Sequence, residues 1–110
     1  MADLLHGTLE MLILRTLLAG PMHGYGIAQR IENASDAILG VEEGSLYPAL
    51  QRLLRKGWVE AAWGTTGLKR RARFYTLTRA GRRQLSVEVS AFRRLTGAIE
   101  AVLEPTRGRA

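Results

Sequence analysis

The sequence contains no cysteine among its 110 residues. This absence excludes a disulfide framework, a thiol nucleophile and a cysteine-ligated zinc or iron–sulfur site. The longest uninterrupted apolar run, Met11–Leu14, is far shorter than the roughly 18 residues that a membrane-spanning helix needs. The first residues include the acidic Asp3 and no basic segment ahead of a hydrophobic stretch, so a secretory signal is not expected. We therefore predict a one-domain cytoplasmic protein with no membrane partner.

Motifs that carry catalysis are also scarce. The two histidines, His6 and His23, belong to no recognisable acid–base or metal-ligating set. No phosphate-binding GxxxxGK[ST] sequence occurs, and Gly24-Tyr25-Gly26 is too short for a dinucleotide-binding motif. We accordingly expect neither an enzyme, nor a metal site, nor a cofactor.

Basic charge, in contrast, is concentrated in the middle of the chain. Residues 1–51 contain two basic and six acidic side chains, and residues 84–110 contain four basic and three acidic ones. Residues 52–83 contain ten basic side chains and one acidic side chain, a local net charge of +9. Eight of these ten are arginine, whose planar guanidinium binds phosphates and base edges better than lysine does. A solvated basic face is the alternative, but the arginine bias favours a nucleic-acid partner.

Apolar residues recur at helical spacing in the first half of the chain. The pattern predicts a first helix that begins with Thr8 as its N-cap and a second helix over about 24–34. A third helix is predicted over about 44–56, with Pro48 tolerated in its first turn and Gly57 as its stop signal. The first half is therefore expected to be a cluster of three helices.

The spacing of apolar residues then changes from about 3.6 residues to 2. This alternation predicts two strands, over residues 59–63 and 73–77. The loop between them has turn glycines and a basic tip, as in a hairpin that projects toward an anion. Thr78 is the expected N-cap of a long helix that runs to about Leu103 with an apolar seam along one side.

This order of elements predicts a mainly α (α+β) fold, a winged helix-turn-helix with three helices, a two-stranded β wing and a long C-terminal helix. We expect a DNA-binding domain over 1–78, a dimerisation helix over 79–104 and a flexible tail over 105–110. A single domain of this size reads few base pairs, and the apolar seam is too hydrophobic for water, so we predict a homodimer on double-stranded DNA.

Three sequence motifs resemble those of the PadR family of transcriptional regulators. They are PMHGY at 21–25, EGSLYPAL at 43–50, and RFYTLT at 73–78 followed by Gly81. The resemblance covers about residues 5–85, and the single C-terminal helix is similar to the short subfamily, in which that helix packs with helix one of the partner. It implies a repressor, more rarely an activator, that binds an inverted repeat and is released by a small, often aromatic, effector. Gly26 and the wing tip TTGLKRR depart from the family pattern.

The third helix is the expected recognition helix, because side chains near the N-terminus of such a helix reach base edges in the major groove. The residues expected near bases are Ser45, Tyr47, Pro48 and Gln51. The residues expected at phosphates are Tyr25, Arg52, Lys69, Arg70, Arg71 and Arg73. Alternatives stay open for five of them. Tyr47 could pack between helices, Tyr25 could pack in the core, and Ser45 could only cap the helix. Arg73 could form a structural ion pair, and Arg52, like Arg55 on the same helix, could extend toward the backbone or be an ordinary solvated arginine.

The expected dimer interface is apolar and comes from helix one and the C-terminal helix. Its residues are Leu9, Leu12, Ile13, Leu85, Val89, Phe92, Leu95, Ile99, Val102 and Leu103. Phe92 and Trp63 are candidates for the pocket of an aromatic effector, with dimer packing as the alternative for Phe92. Two rival functions are an RNA-binding module, which would need a wider aromatic sheet, and a protein-interaction module that acts through the C-terminal helix.

Overall fold

The computed structural model describes residues 7–104. In chain order the elements are α1 (Thr8–Leu17), β1 (Met22–His23), α2 (Gly24–Ala34), α3 (Glu43–Arg55), β2 (Val59–Thr65), β3 (Arg71–Leu77) and α4 (Arg79–Leu103). The strands form one antiparallel sheet in the order β1-β3-β2. The chain therefore has the winged-helix fold that the sequence predicted, and the proposed tail over 105–110 lies outside the described residues.

The sheet has three strands, so the two-stranded prediction was wrong in this detail. The additional strand, β1, pairs Met22 with Tyr75 and His23 with Phe74 on the free edge of β3. A strand of two residues is too short to show an alternating pattern, and its pairing depends on residues about fifty positions away in the chain. The consequence is that the start of α2 is tied directly to the wing.

The helix boundaries follow local signals, with small departures from the sequence prediction. The N-cap of α1 is Gly7, at φ 87°, rather than Thr8. Gly57, at φ 75°, ends α3 as predicted. The Gly57 N–H donates to the Leu54 carbonyl, and the Trp58 N–H donates to the Leu53 carbonyl. This pair of hydrogen bonds is a Schellman motif.

Pro48 lies in the second turn of α3 rather than the first, because the helix begins at Glu43. A proline inside a helix leaves the carbonyl four residues earlier without its N–H partner. Here that carbonyl belongs to Gly44, an exposed residue. Water can therefore satisfy it, and the helix continues through the proline.

The core lies between the three N-terminal helices, the base of the sheet and the first turns of α4. It includes Ile13, Leu14, Ile27, Leu50 and Leu53 at its centre, none more than 1% exposed. Three residues predicted at the dimer interface also belong to this core: Leu9, Ile13 and Leu85 are 8%, 0% and 5% exposed. Their apolar surface is already buried within one chain, so that part of the interface prediction is corrected.

The second half of α4 projects from the globular part of the chain. The described chain measures 61 × 29 × 22 Å along its principal axes. Val89 still packs on the core, but every residue from Ser90 to Leu103 except Thr96 is exposed. No helix among residues 7–104 combines the length and hydropathy needed to cross a bilayer.

Candidate nucleic-acid interface

Helix α3 turns one face to the core and the opposite face to solvent. Leu46, Leu50 and Leu53 are buried on the inner face. At 100° per residue, Pro48 and Gln51 lie near the centre of the outer face, and both are exposed. Arg55, which the sequence placed toward the DNA backbone or in solvent, occupies the same outer face one turn after Gln51 and is also exposed.

Tyr47 lies at the side of that outer face, against the start of α2. A Cβ atom added at Gly24 would lie 2.8 Å from the Tyr47 hydroxyl oxygen, so the absence of a side chain at Gly24 makes room for the phenol. The ring is 43% exposed. Partial burial raises the pKa of Tyr47 above its ordinary value, and the neighbouring Glu43 and Tyr75 act in the same direction. The hydroxyl is therefore protonated at physiological pH and can donate a hydrogen bond.

Tyr25 stands in the first turn of α2 with 65% of its surface exposed. The Gln29 side-chain amide donates a hydrogen bond to the Tyr25 hydroxyl oxygen at 3.0 Å. This bond occupies one acceptor position and leaves the hydroxyl hydrogen available to an external acceptor such as a phosphate. The helix start itself is fixed by His23, whose Nδ1 accepts from the Gly26 N–H at 3.0 Å.

The tip of the wing is a hydrogen-bonded turn that carries two cations. The Thr66 N–H donates to the Arg70 carbonyl at 2.9 Å, and the Lys69 N–H donates to the Thr66 carbonyl at 2.8 Å. The Thr66 hydroxyl also accepts from the Leu68 and Arg70 N–H groups. Lys69 has a positive φ of 63°, and both Lys69 and Arg70 are exposed. The turn thus presents these side chains to solvent on an ordered backbone.

The two arginines of β3 stack on aromatic rings of the wing. The Arg71 guanidinium lies 4.8 Å from the centre of the Trp63 ring, and that of Arg73 lies 6.0 Å from the Tyr75 ring. Among residues 7–104, Arg73 takes part in no ion pair, so the structure gives no support to the ion-pair alternative. Cation–π contacts of this kind hold an arginine in place while leaving its N–H groups free.

These parts surround an open groove of about 420 Å³ between α3, the start of α2 and the wing, which we call the α3–wing groove. Its lining is aromatic and basic, and the described residues contribute no carboxylate to it. The lining residues are His23, Gly24, Tyr25, Tyr47, Gln51, Trp63, Arg71, Ala72, Arg73 and Tyr75. The structure thus brings together five of the ten residues predicted at bases or phosphates, and these five share an environment suited to a polyanion.

Arg52 and Ser45 lie on the other side of α3, away from this groove. The Arg52 Nε atom lies 2.5 Å from Glu10 Oε2, and the Lys56 ammonium lies 3.5 Å from Glu10 Oε1. Arg52 therefore has a partner within the chain, forty-two positions earlier. Ser45 is exposed in the first turn, and the N-cap of α3 is Glu42, whose side chain makes no capping hydrogen bond.

The two residues suggested for an aromatic-effector pocket do not come together in the described chain. Trp63 lines the α3–wing groove and is 62% exposed, whereas Phe92 is not among the groove residues and lies on the projecting part of α4. Within one chain the two residues therefore do not share a pocket, and their part in an effector pocket of a dimer stays a prediction. The place of Trp63 in the groove was missed from sequence because strand alternation assigns a side chain to a face but not to a neighbour.

Comparisons with known proteins agree with this geometry. An uncharacterized protein of Lysinibacillus sphaericus is 30% identical over 103 residues, 94% of each chain. The structure of a transcriptional regulator from Clostridium thermocellum superposes with a TM-score of 0.80 at 25% identity, covering 90% of this chain and 96% of that one. Bacillus subtilis PadR in complex with operator DNA gives a TM-score of 0.65 at 26% identity, covering 74% of this chain and 46% of that one. The family model of the transcriptional regulator PadR-like family matches residues 13–87, and the chain therefore belongs to this family.

Proposed function

We propose that this regulator binds double-stranded DNA as a homodimer and represses transcription by occupying an inverted-repeat operator in the cytoplasm. The observation that carries the proposal is the convergence of the outer face of α3, the exposed Tyr25 hydroxyl and the basic wing around one groove, to which the described residues bring no carboxylate. A helix of this kind fits the major groove, and a hairpin beside it reaches the adjacent backbone.

The roles of the individual side chains follow from their positions. Gln51 and Arg55, on the outer face of α3, are the proposed contacts to base edges, since an amide pairs with adenine and a guanidinium with guanine. The proposed phosphate contacts lie on both sides of them: Tyr25 and Tyr47 donate hydroxyl hydrogens, and Lys69, Arg70, Arg71 and Arg73 supply positive charge. Bacillus subtilis PadR, a structural neighbour of this chain, is seen in complex with operator DNA.

The homodimer is proposed from the apolar stripe on the second half of α4. Phe92, Leu95, Ile99 and Val102 are 38%, 53%, 48% and 77% exposed and recur at three- and four-residue spacing. Such a stripe is the usual seam of paired helices. Release by a small aromatic effector belongs to the same proposal, and Phe92 then lies where the two copies would meet.

The primary test is fluorescence anisotropy of the purified protein on duplexes tiled across its own upstream intergenic region, with a scrambled duplex as control, at two salt concentrations. A specific reader prefers its site by at least about 10³-fold. We expect saturable binding to one inverted repeat, with two chains bound and a steep loss of affinity at higher salt. Failure to bind any duplex at low salt would contradict the DNA function and favour a protein-interaction module that acts through α4.

A charge-matched pair of variants tests the wing. Lys69→Gln combined with Arg70→Gln removes two charges at the tip, and Arg93→Gln combined with Arg94→Gln removes two from the exposed part of α4. We expect the wing variant to bind every duplex more weakly and to reduce the slope of log K against log salt by about 0.9 for each phosphate that it no longer neutralises. The α4 variant should retain the wild-type slope. Equal slopes for the two variants would contradict binding of phosphate by the wing.

A further inference from the structure

One face of the wing extends beyond the helices that cover its base. Val59 and Tyr75 are buried, 2% and 4% exposed, and Ala61 pairs with Tyr75 in the sheet. Strand alternation places Trp63 on the same face as Val59, opposite Arg73. Yet Trp63 is 62% exposed, because it lies past the end of the helical cover. A large indole is thus left in solvent on the face that continues the core.

The Arg71 guanidinium lies against that exposed indole. Arg71 pairs in register with Thr65, which places it diagonal to Trp63 across the two strands, and its guanidinium lies 4.8 Å from the ring centre. A diagonal neighbour at this separation is within reach of long side chains. The contact limits the freedom of an otherwise exposed arginine and keeps its N–H groups over the α3–wing groove, where an anion can accept from them.

The opposite wall of the groove supplies donors of a different kind. Tyr47 and Gln51 come from α3, and Tyr25 comes from the start of α2. The groove therefore combines an aromatic surface, two cations and two hydroxyl donors. A phosphodiester strand has the matching chemistry, since its sugars pack on aromatic rings and its phosphates accept from arginine and tyrosine. A helix in the major groove and a wing in the next minor groove would leave one such strand between them.

We propose that Trp63 contacts DNA and positions Arg71: one phosphodiester strand lies in the α3–wing groove, with a deoxyribose on the Trp63 ring and a phosphate on the Arg71 guanidinium. This inference rests on the proposed DNA-binding function. It assigns to the indole a role in binding that neither its exposure nor the family motifs specify.

The chain has two tryptophans, so single substitutions isolate their fluorescence. Trp58→Phe leaves Trp63 as the only indole, and Trp63→Phe leaves Trp58, which packs on the core beneath Lys56. On titration with the operator duplex, Trp63 should lose emission and become protected from acrylamide, whereas Trp58 should change little. Saturable binding without any change at Trp63 would overturn the inference while leaving the proposed function standing. Absence of duplex binding by the wild-type protein would overturn both.

Affinity measurements test the link between the two side chains. Trp63→Ala should weaken operator binding about tenfold. Its midpoint of thermal unfolding, followed by circular dichroism, should stay close to that of wild type because the site is exposed. Because Trp63 holds Arg71, combining Trp63→Ala with Arg71→Ala should weaken binding by much less than the product of the two single effects. Combination with Arg70→Ala, at the tip, should give the full product. Independent effects of Trp63 and Arg71, or wild-type affinity for Trp63→Ala, would overturn the proposal.

Discussion

At the residue scale, Glu10 combines burial with charge. It is the only charged side chain among the buried residues of the described chain, at 7% exposure. Arg52 Nε and the Lys56 ammonium bind its two oxygens and thereby join α1 to α3. A buried carboxylate is tolerated only when its hydrogen-bonding capacity is met in this way. Arg52 therefore has a structural contact within the chain, and its contact with phosphate stays a prediction.

Glu10→Gln should lower the free energy of unfolding by about 1–2 kcal/mol, since the amide keeps the shape of the side chain but loses the charge-assisted bonds. Urea denaturation at a fixed protein concentration measures the change. Glu60→Gln, which removes an exposed carboxylate on β2, is the matched control and should remain within about 0.5 kcal/mol of wild type. Equal stability of the two variants would show that the buried pair contributes nothing.

At the element scale, the first turn of α4 packs closely against the chain between α3 and β2. A Cβ atom at Gly81 would lie 2.1 Å from the Trp58 carbonyl oxygen, a backbone atom that cannot move without shifting the start of β2. Thr78 fixes the same turn by accepting from the Gly81 N–H at 3.0 Å and donating to the Gly57 carbonyl at 2.8 Å. This junction sets the direction in which α4 leaves the winged-helix part.

Gly81→Ala should destabilise the protein by about 3 kcal/mol, because the added methyl group must displace packed backbone. Gly97 provides a control within the same helix: a Cβ atom there would meet nothing within 4 Å. Gly97→Ala should raise stability by about 0.5–1 kcal/mol through helix propensity alone. Urea midpoints of the two variants on opposite sides of wild type are the expected result, and destabilisation by both would mean that Gly97 also has a close neighbour in the assembled protein.

At the scale of the whole molecule, the second half of α4 leaves an apolar stripe exposed to solvent. Ile99 is 48% exposed in one chain and lies on the apolar stripe, whereas Ala101 is exposed on the opposite side of the helix. Because neither belongs to the core of the single chain, a substitution at either position should leave the winged-helix part folded. The two positions therefore allow the proposed dimerisation to be tested separately from folding.

Ile99→Glu should convert the protein to a monomer in sedimentation equilibrium and weaken operator binding, since burying a carboxylate in an apolar seam is unfavourable. Ala101→Glu introduces the same charge two residues away and should remain dimeric with wild-type affinity. The far-ultraviolet circular dichroism of both variants should indicate an intact fold. A dimeric Ile99→Glu protein would contradict pairing through this stripe.

The local parts of the fold could be predicted from local residues. The bounds of α2, the Thr78 cap of α4 and the Gly57 stop of α3 agree with the structure, because caps and positive-φ glycines act within a few positions. β1 could not be predicted, since two residues become a strand only when β3 lies beside them. The ion pair of Arg52 with Glu10 could not be predicted for the same reason, since the two residues are distant in the chain.

For the candidate nucleic-acid interface, the residue types could be predicted from the sequence more readily than which of them lie together. Local sequence patterns alone indicated the order of helices and wing, the basic middle of the chain and the residue types proposed to bind phosphate. The folded structure was needed to show that Ile13 and Leu85 face the core of one chain while Ile99 faces solvent. It was also needed to show that Trp63 lies beside Arg71 in the α3–wing groove. The two kinds of feature differ in the distance along the chain over which residues interact. Helix and turn signals act between near neighbours, whereas burial and cross-strand contacts depend on which distant segments the folded chain brings together.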